Sequence, residues 1–114
     1  KMLTPVMTLK GAAIRLFPQE PEIGVAEGIE TAIAAHLIHK IPVWSAMNSN
    51  GLQDFIPPEG VESVVVFGDN DASFTGQAAA YSLAKKLVLS GIKARVVIPE
   101  TIGDWRDVLV RSHA

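Results

Sequence analysis

The chain has 114 residues, a formal charge of −2, 48% hydrophobic residues and no cysteine. That length and apolar content suit one domain with a real core and exclude a disordered polypeptide. The lack of cysteine excludes disulfides, thiol chemistry and a cysteine-bound zinc, apolar runs of a few residues exclude a membrane-crossing helix, and a slightly negative charge with no basic stripe argues against strong nucleic-acid binding by these residues alone. The chain begins with Lys1 rather than Met, and no secretory leader can be read. It is therefore expected to be a single domain excised from a larger cytoplasmic protein, with residues 1–10 as an entry segment and 11–112 as the core.

Residues 11–17 read as a short edge strand, and Pro18 and Pro21 open a loop. Residues 23–26 are expected to be a buried strand. Residues 29–39 follow as a helix with Ile29, Ala32, Ile33 and Leu37 on its apolar face. On that helix His36 and His39 lack a carboxylate partner and read as solvated. Residues 41–46 are the next strand, with Pro42 at its start, where a missing N–H is tolerated, and Trp44 in the core. Ser49 or Asn50 can cap a short helix through Phe55, before Pro57-Pro58-Glu59-Gly60 breaks the chain. Residues 63–67 form a continuous apolar run of the kind buried on both faces of a sheet. A long helix over 75–90 turns Ala79, Ala80, Leu83, Leu87 and Val88 inward and Lys85 and Lys86 outward; Tyr81 reads as structural and Gly91 as the stop. Residues 93–98 are the last strand, ended by Pro99, and a helix from Asp104 buries Val108 and Leu109 beside Trp105. This alternation predicts an α/β fold, an about four-stranded, mainly parallel sheet with helices on both faces.

Two strands run directly into acids. Residues 23–26 lead to Glu27-Gly28, and residues 63–67 lead through Gly68 to Asp69-Asn70-Asp71. In an open α/β sheet ligands bind at the carboxyl ends of the strands. Carboxylates gathered there repel one another unless a divalent cation neutralises them, and Mg²⁺ or Mn²⁺ suits hard oxygen ligands and phosphate chemistry. Each acid also has a plainer reading. Glu27 can be a loop residue or a helix N-terminal charge, and the Asp pair can be a turn capping the next helix. An EF-hand loop starting at Asp69 fails, because Phe74 and Ala80 stand where Gly and Glu are needed. Gly28 allows close approach or an unusual turn. Gly76 opens the long helix and suits either tight packing or a phosphate at the helix N-terminus. Asp104 and Asp107 form a capping pattern, yet after a fourth parallel strand they would lie near the other acids and could hold a second cation. Lys10 and Arg15 are candidates for template or nucleotide phosphates, or simply for solubility.

Taken together, these pieces resemble the Toprim domain of primases, type IA and II topoisomerases and certain nucleases. The matches are Glu27-Gly28 and Asp69-Asn70-Asp71, with GAAIRL at residues 11–16, EGIETAIAA at 27–35, and the run from VVVFGDND through GQAAA to DWRDVL. The wording is closest to primases and primase-helicases of phage and plasmid type. The resemblance implies a compact, Rossmann-like Toprim fold binding Mg²⁺ or Mn²⁺. Glu27 would be general acid/base or ligand, Asp69 and Asp71 ligands, and Asp104 with Asp107 the last acidic motif. It further implies nucleotidyl transfer that makes RNA primers from nucleoside triphosphates on single-stranded DNA, with zinc-binding and helicase domains fused or associated. Phosphodiester cleavage, as in a Toprim nuclease or topoisomerase, and a non-catalytic scaffold are the alternatives. Thr31 stands where replicative primases carry Asp, and four residues separate the Asp pair from Gly76. An aspartyl phosphatase would leave Glu27-Gly28 unexplained, and a phosphoacceptor receiver would need the acids in the reverse order.

Overall fold

The fold was obtained as a computed structural model that describes residues 11–112. Four strands, β1 (Glu22–Ala26), β2 (Val43–Ser45), β3 (Ser63–Phe67) and β4 (Lys93–Val97), alternate with four helices, α1 (Ile29–His39), α2 (Ser49–Asp54), α3 (Thr75–Leu89) and α4 (Trp105–Ser112). The strands lie in the order β2-β1-β3-β4, and every pair is parallel. The α/β architecture expected from the alternation is therefore present.

From β1 the chain steps outward to β2, and from β3 it steps the other way to β4. Right-handed crossovers in opposite directions put their helices on opposite faces. On one face Val64, Val66 and Trp44 pack against Leu52 of α2 and Ala80, Leu83 and Leu87 of α3. On the other, Val43, Val65 and Phe67 pack against Ala32 and Ala35 of α1 and Trp105 of α4.

Several elements differ from expectation. The stretch 11–17 is not a strand; it makes one antiparallel bridge, in which Ile14 and Ser45 exchange hydrogen bonds of 2.7 and 3.0 Å. It then leaves the sheet, because the Phe17 carbonyl turns to accept the Trp44 indole N–H at 2.9 Å. The α1 face is also shifted: Ala32 is buried as expected, together with Thr31, Ala34 and Ala35, while Ile29, Ile33 and Leu37 are 40–47% exposed. Small side chains let the helix sit close on the sheet, where isoleucines would hold it off. The cap of α2 is Asn48, whose side chain accepts the Gly51 N–H at 2.7 Å; Ser49 is the first helical residue. On α3, Val88 and Tyr81 are exposed, and Gly91 follows at φ +95°, the left-handed turn expected of a stop. His36 and His39 are not solvated. The His36 Nδ1–H donates to the Ile41 carbonyl at 2.7 Å and the ring stacks on Phe17. His39 sits between Phe67 and Trp105, where burial, and then the charge of Arg95, lower its pKa.

Candidate functional site

Ala26 and Phe67 are register partners at the ends of the central strands β1 and β3. Glu27 and Gly68-Asp69 therefore leave the sheet side by side, at the point where the chain reverses its outward direction. Such a switch point opens a crevice at the carboxyl edge. A third loop joins them through Asn70. Its backbone exchanges two hydrogen bonds of 2.9 Å with Gly103, and its side chain donates to the Pro99 carbonyl at 2.8 Å and accepts from Gln77 at 3.1 Å. This bridge lays the β4–α4 loop, with Asp104, against the Asp69 loop.

Asp69 is the electrostatic centre. Its Oδ1 is buried and has no hydrogen-bond partner among the described residues. Its pKa is pushed up to about 6, first by burial and then by the charges of Asp104, Glu27 and Asp71, against a smaller opposing effect of Arg106. The structure thus gathers four of the five sequence-predicted acids into one field. In this arrangement no three His, Asp or Glu side chains among the described residues converge as a cation cage.

The other carboxylates are engaged locally. Asp71 Oδ2 accepts the Gly76 N–H at 2.8 Å, which anchors the first turn of α3. A Cβ on Gly76 would stand 2.8 Å from that oxygen and 3.0 Å from the Asp69 carbonyl, so any larger residue would press on both the cap and the Asp69 loop. Asp104 and Asp107 form a reciprocal cap. Asp104 Oδ1 accepts the N–H groups of Arg106 and Asp107 at 3.0 and 3.1 Å, and Asp107 Oδ2 accepts the Asp104 N–H at 2.9 Å. Arg106 binds Asp104 Oδ2 through Nη2 and Nε at 2.9 and 3.2 Å, and its Nη1 reaches Glu30 at 2.6 Å. Burial pushes the Asp104 carboxyl up, but the Arg106 guanidinium and the N–H groups of Asp107 and Arg106 hold it below the usual carboxylate range.

Gly28 makes no unusual turn. It is extended at φ −109°, and the space where a Cβ would stand is open. The guanidinium of Arg15 lies 4.8 Å over the Trp44 ring, a packing role, and Lys10 falls outside the described residues. Sequence reasoning missed three contributors: Asn70, Arg106 and the indole of Trp105, which donates to the Gly68 carbonyl at 3.1 Å and pins α4 to the end of β3. Their signal was position, since Asn70 lies between the paired acids and Trp105 and Arg106 lie between Asp104 and Asp107.

A family model described as a Toprim domain matches residues 22–114. Among solved structures, the chain is similar to a DNA primase domain from Pseudomonas aeruginosa, with a TM-score of 0.54 and 22% identity over 80% of this chain. The likeness is one of fold, and it covers 29% of that longer chain. No curated protein matches at a significant level.

Proposed function

The chain belongs to the Toprim domain family, and from that premise we propose that it is the catalytic Toprim module of a phage- or plasmid-type DNA primase. Its reaction would be nucleotidyl transfer from nucleoside triphosphates onto a primer paired with single-stranded DNA. The observation that carries this reading is the buried, unpartnered Asp69 Oδ1 at the β1–β3 crevice, within the field of Glu27, Asp71 and Asp104. A buried carboxylate oxygen without a donor is costly, and a cation would satisfy it.

The donor chemistry fits Mg²⁺ or Mn²⁺, since every candidate ligand is a carboxylate oxygen. Glu27, Asp69 and Asp71 would hold the ion, with Asp71 using the oxygen not given to Gly76. Bound there, a divalent cation supplies neutralisation of phosphate charge and of the charge that develops on the transferring group. Glu27 would accept a proton at the crevice. Asp104 would hold a second cation once Arg106, its partner in this arrangement, gave way, and Asp107 accepts the Asp104 N–H. No protein nucleophile is required. Template-holding, zinc-binding and helicase functions would come from other parts of a larger cytoplasmic protein.

Mn²⁺ titration by calorimetry tests the reading, on the wild-type chain and on a Glu27→Gln, Asp69→Asn, Asp71→Asn triple variant. Saturable binding by the wild type that vanishes in the variant is expected. Equal heats from both proteins would refute a metal site at these acids. Primer synthesis against nicking by the full-length protein then separates nucleotidyl transfer from cleavage.

A further inference from the structure

Beside Glu27 a cavity of about 440 Å³ opens at the start of α1. Gly28, Glu30 and Thr31 line it from α1, Met47 from the β2–α2 loop, and Arg106 from α4. The helix is 11 residues long, and Gly28 brings no side chain to cap it. The N–H groups of Ile29, Glu30 and Thr31 have no acceptor within the helix and none elsewhere among the described residues. The space above Gly28 is open to at least 4 Å.

A bare helix N-terminus attracts anions only weakly, but Thr31 adds an independent sign. It is 9% exposed and lines the cavity, yet its hydroxyl makes no hydrogen bond to any described residue. A helical threonine usually returns its hydroxyl to a carbonyl one turn back. This one is left as a free donor in a near-buried wall. The third donor is the guanidinium of Arg106, whose partner Glu30 belongs to the same first turn. Both side chains of that ion pair are more than half exposed, 56% and 75%, so the pair contributes little and exchanges readily.

We propose that this cavity holds a phosphoryl group, taken by the first-turn N–H groups of α1, the Thr31 hydroxyl and the Arg106 guanidinium. The group would belong to a nucleotide or to a nucleic-acid strand whose neighbouring phosphate lies at the acids, so the proposal rests on the function proposed above. Glu30 would turn to solvent as Arg106 moves from it to the phosphate. Glu30 in the wall and Glu27, one residue before Gly28, would repel a bare anion, so Arg106 is the residue that offsets them.

The test is a titration of the ¹⁵N-labelled chain with inorganic pyrophosphate, in chelator and at low salt, followed by amide chemical shifts. Saturable shifts at Ile29, Glu30 and Thr31 are expected. The apparent affinity should fall by about fivefold or more in Thr31→Val and in Arg106→Gln, as for the loss of one good donor to an anion, and Thr31→Ser should restore it. Asp69→Asn should bind no more weakly than wild type, so failure of the cation reading would leave this result standing. Shifts absent from those three amides, or affinities unchanged in Thr31→Val and Arg106→Gln, would overturn the proposal. Movement of the same amides by a nucleoside triphosphate, but not by oligothymidylate lacking a terminal phosphate, assigns the site to the nucleotide; the converse assigns it to the strand.

Discussion

An aspartate that keeps its proton to about pH 6 makes both stability and cation binding depend on pH. The unfolded carboxyl titrates near 3.8, so between that value and about 6 the folded chain binds more protons than the unfolded one. Stability contributed by protonated Asp69 is thus fully present at low pH and is lost as pH rises through this window. Asp69→Asn should raise the melting temperature at pH 8 and change it little at pH 4. The gain should be about 1 kcal/mol once solvent screening of a half-buried carboxylate is allowed for. Mn²⁺ affinity in the wild type should fall about tenfold per pH unit below pH 6, because the proton competes for the same oxygen. Thermal melts and calorimetry across pH 4–8 check both. The paired acids were legible in the sequence because they follow an apolar strand at alternate positions. Arg106 was not, since its partner Glu30 lies 76 residues away and only the packing of α1 beside α4 brings them together.

Strands β1 and β3 were readable because a run buried on both faces has to be continuously apolar, and Val64, Val65, Val66 and Phe67 are each no more than 1% exposed. Periodicity misled at α1, where isoleucine and leucine four residues apart outweigh alanines in any hydropathy pattern. The alanines nonetheless face the sheet, because closeness of the helix axis decides how much surface both elements bury. Ala35 is fully buried and Leu37 is 47% exposed. Ala35→Leu should therefore destabilise the chain by about 1–3 kcal/mol through overpacking. Leu37→Gln should stay within about 0.5 kcal/mol, the opposite of what the apolar stripe would suggest. Urea denaturation of the two variants decides between the faces. The 11–17 stretch was overread for a related reason. Its apolar residues suit an edge strand, but Phe17 is drawn away by His36 and by the Trp44 N–H, which local composition does not reveal.

At the scale of the whole molecule, the alternation of strands and helices implies a parallel sheet but not its order. That β1 lies between β2 and β3 is what sets Glu27 beside Asp69, and the Asn70–Gly103 bridge, with the Trp105 indole on the Gly68 carbonyl, adds Asp104. The same convergence gives this edge a negative field on a chain whose formal charge is already −2. Under the function proposed above, single-stranded DNA would rely on a few cations, Arg106 among them. Each phosphate contact on a single strand contributes roughly −0.7 to the slope of log K against log salt, so two or three contacts imply a slope no steeper than about −2. Fluorescence anisotropy of a labelled oligothymidylate measures it, and a much steeper slope would reveal a basic surface that the composition denies. Neutralising the acids should act in the opposite sense to salt. Saturating Mn²⁺ should strengthen binding to the wild-type chain and leave the Glu27→Gln, Asp69→Asn, Asp71→Asn variant unmoved, because the variant has neither the repulsion to relieve nor the ligands to hold the ion. Equal strengthening of both proteins would place the cation on the DNA rather than in the crevice.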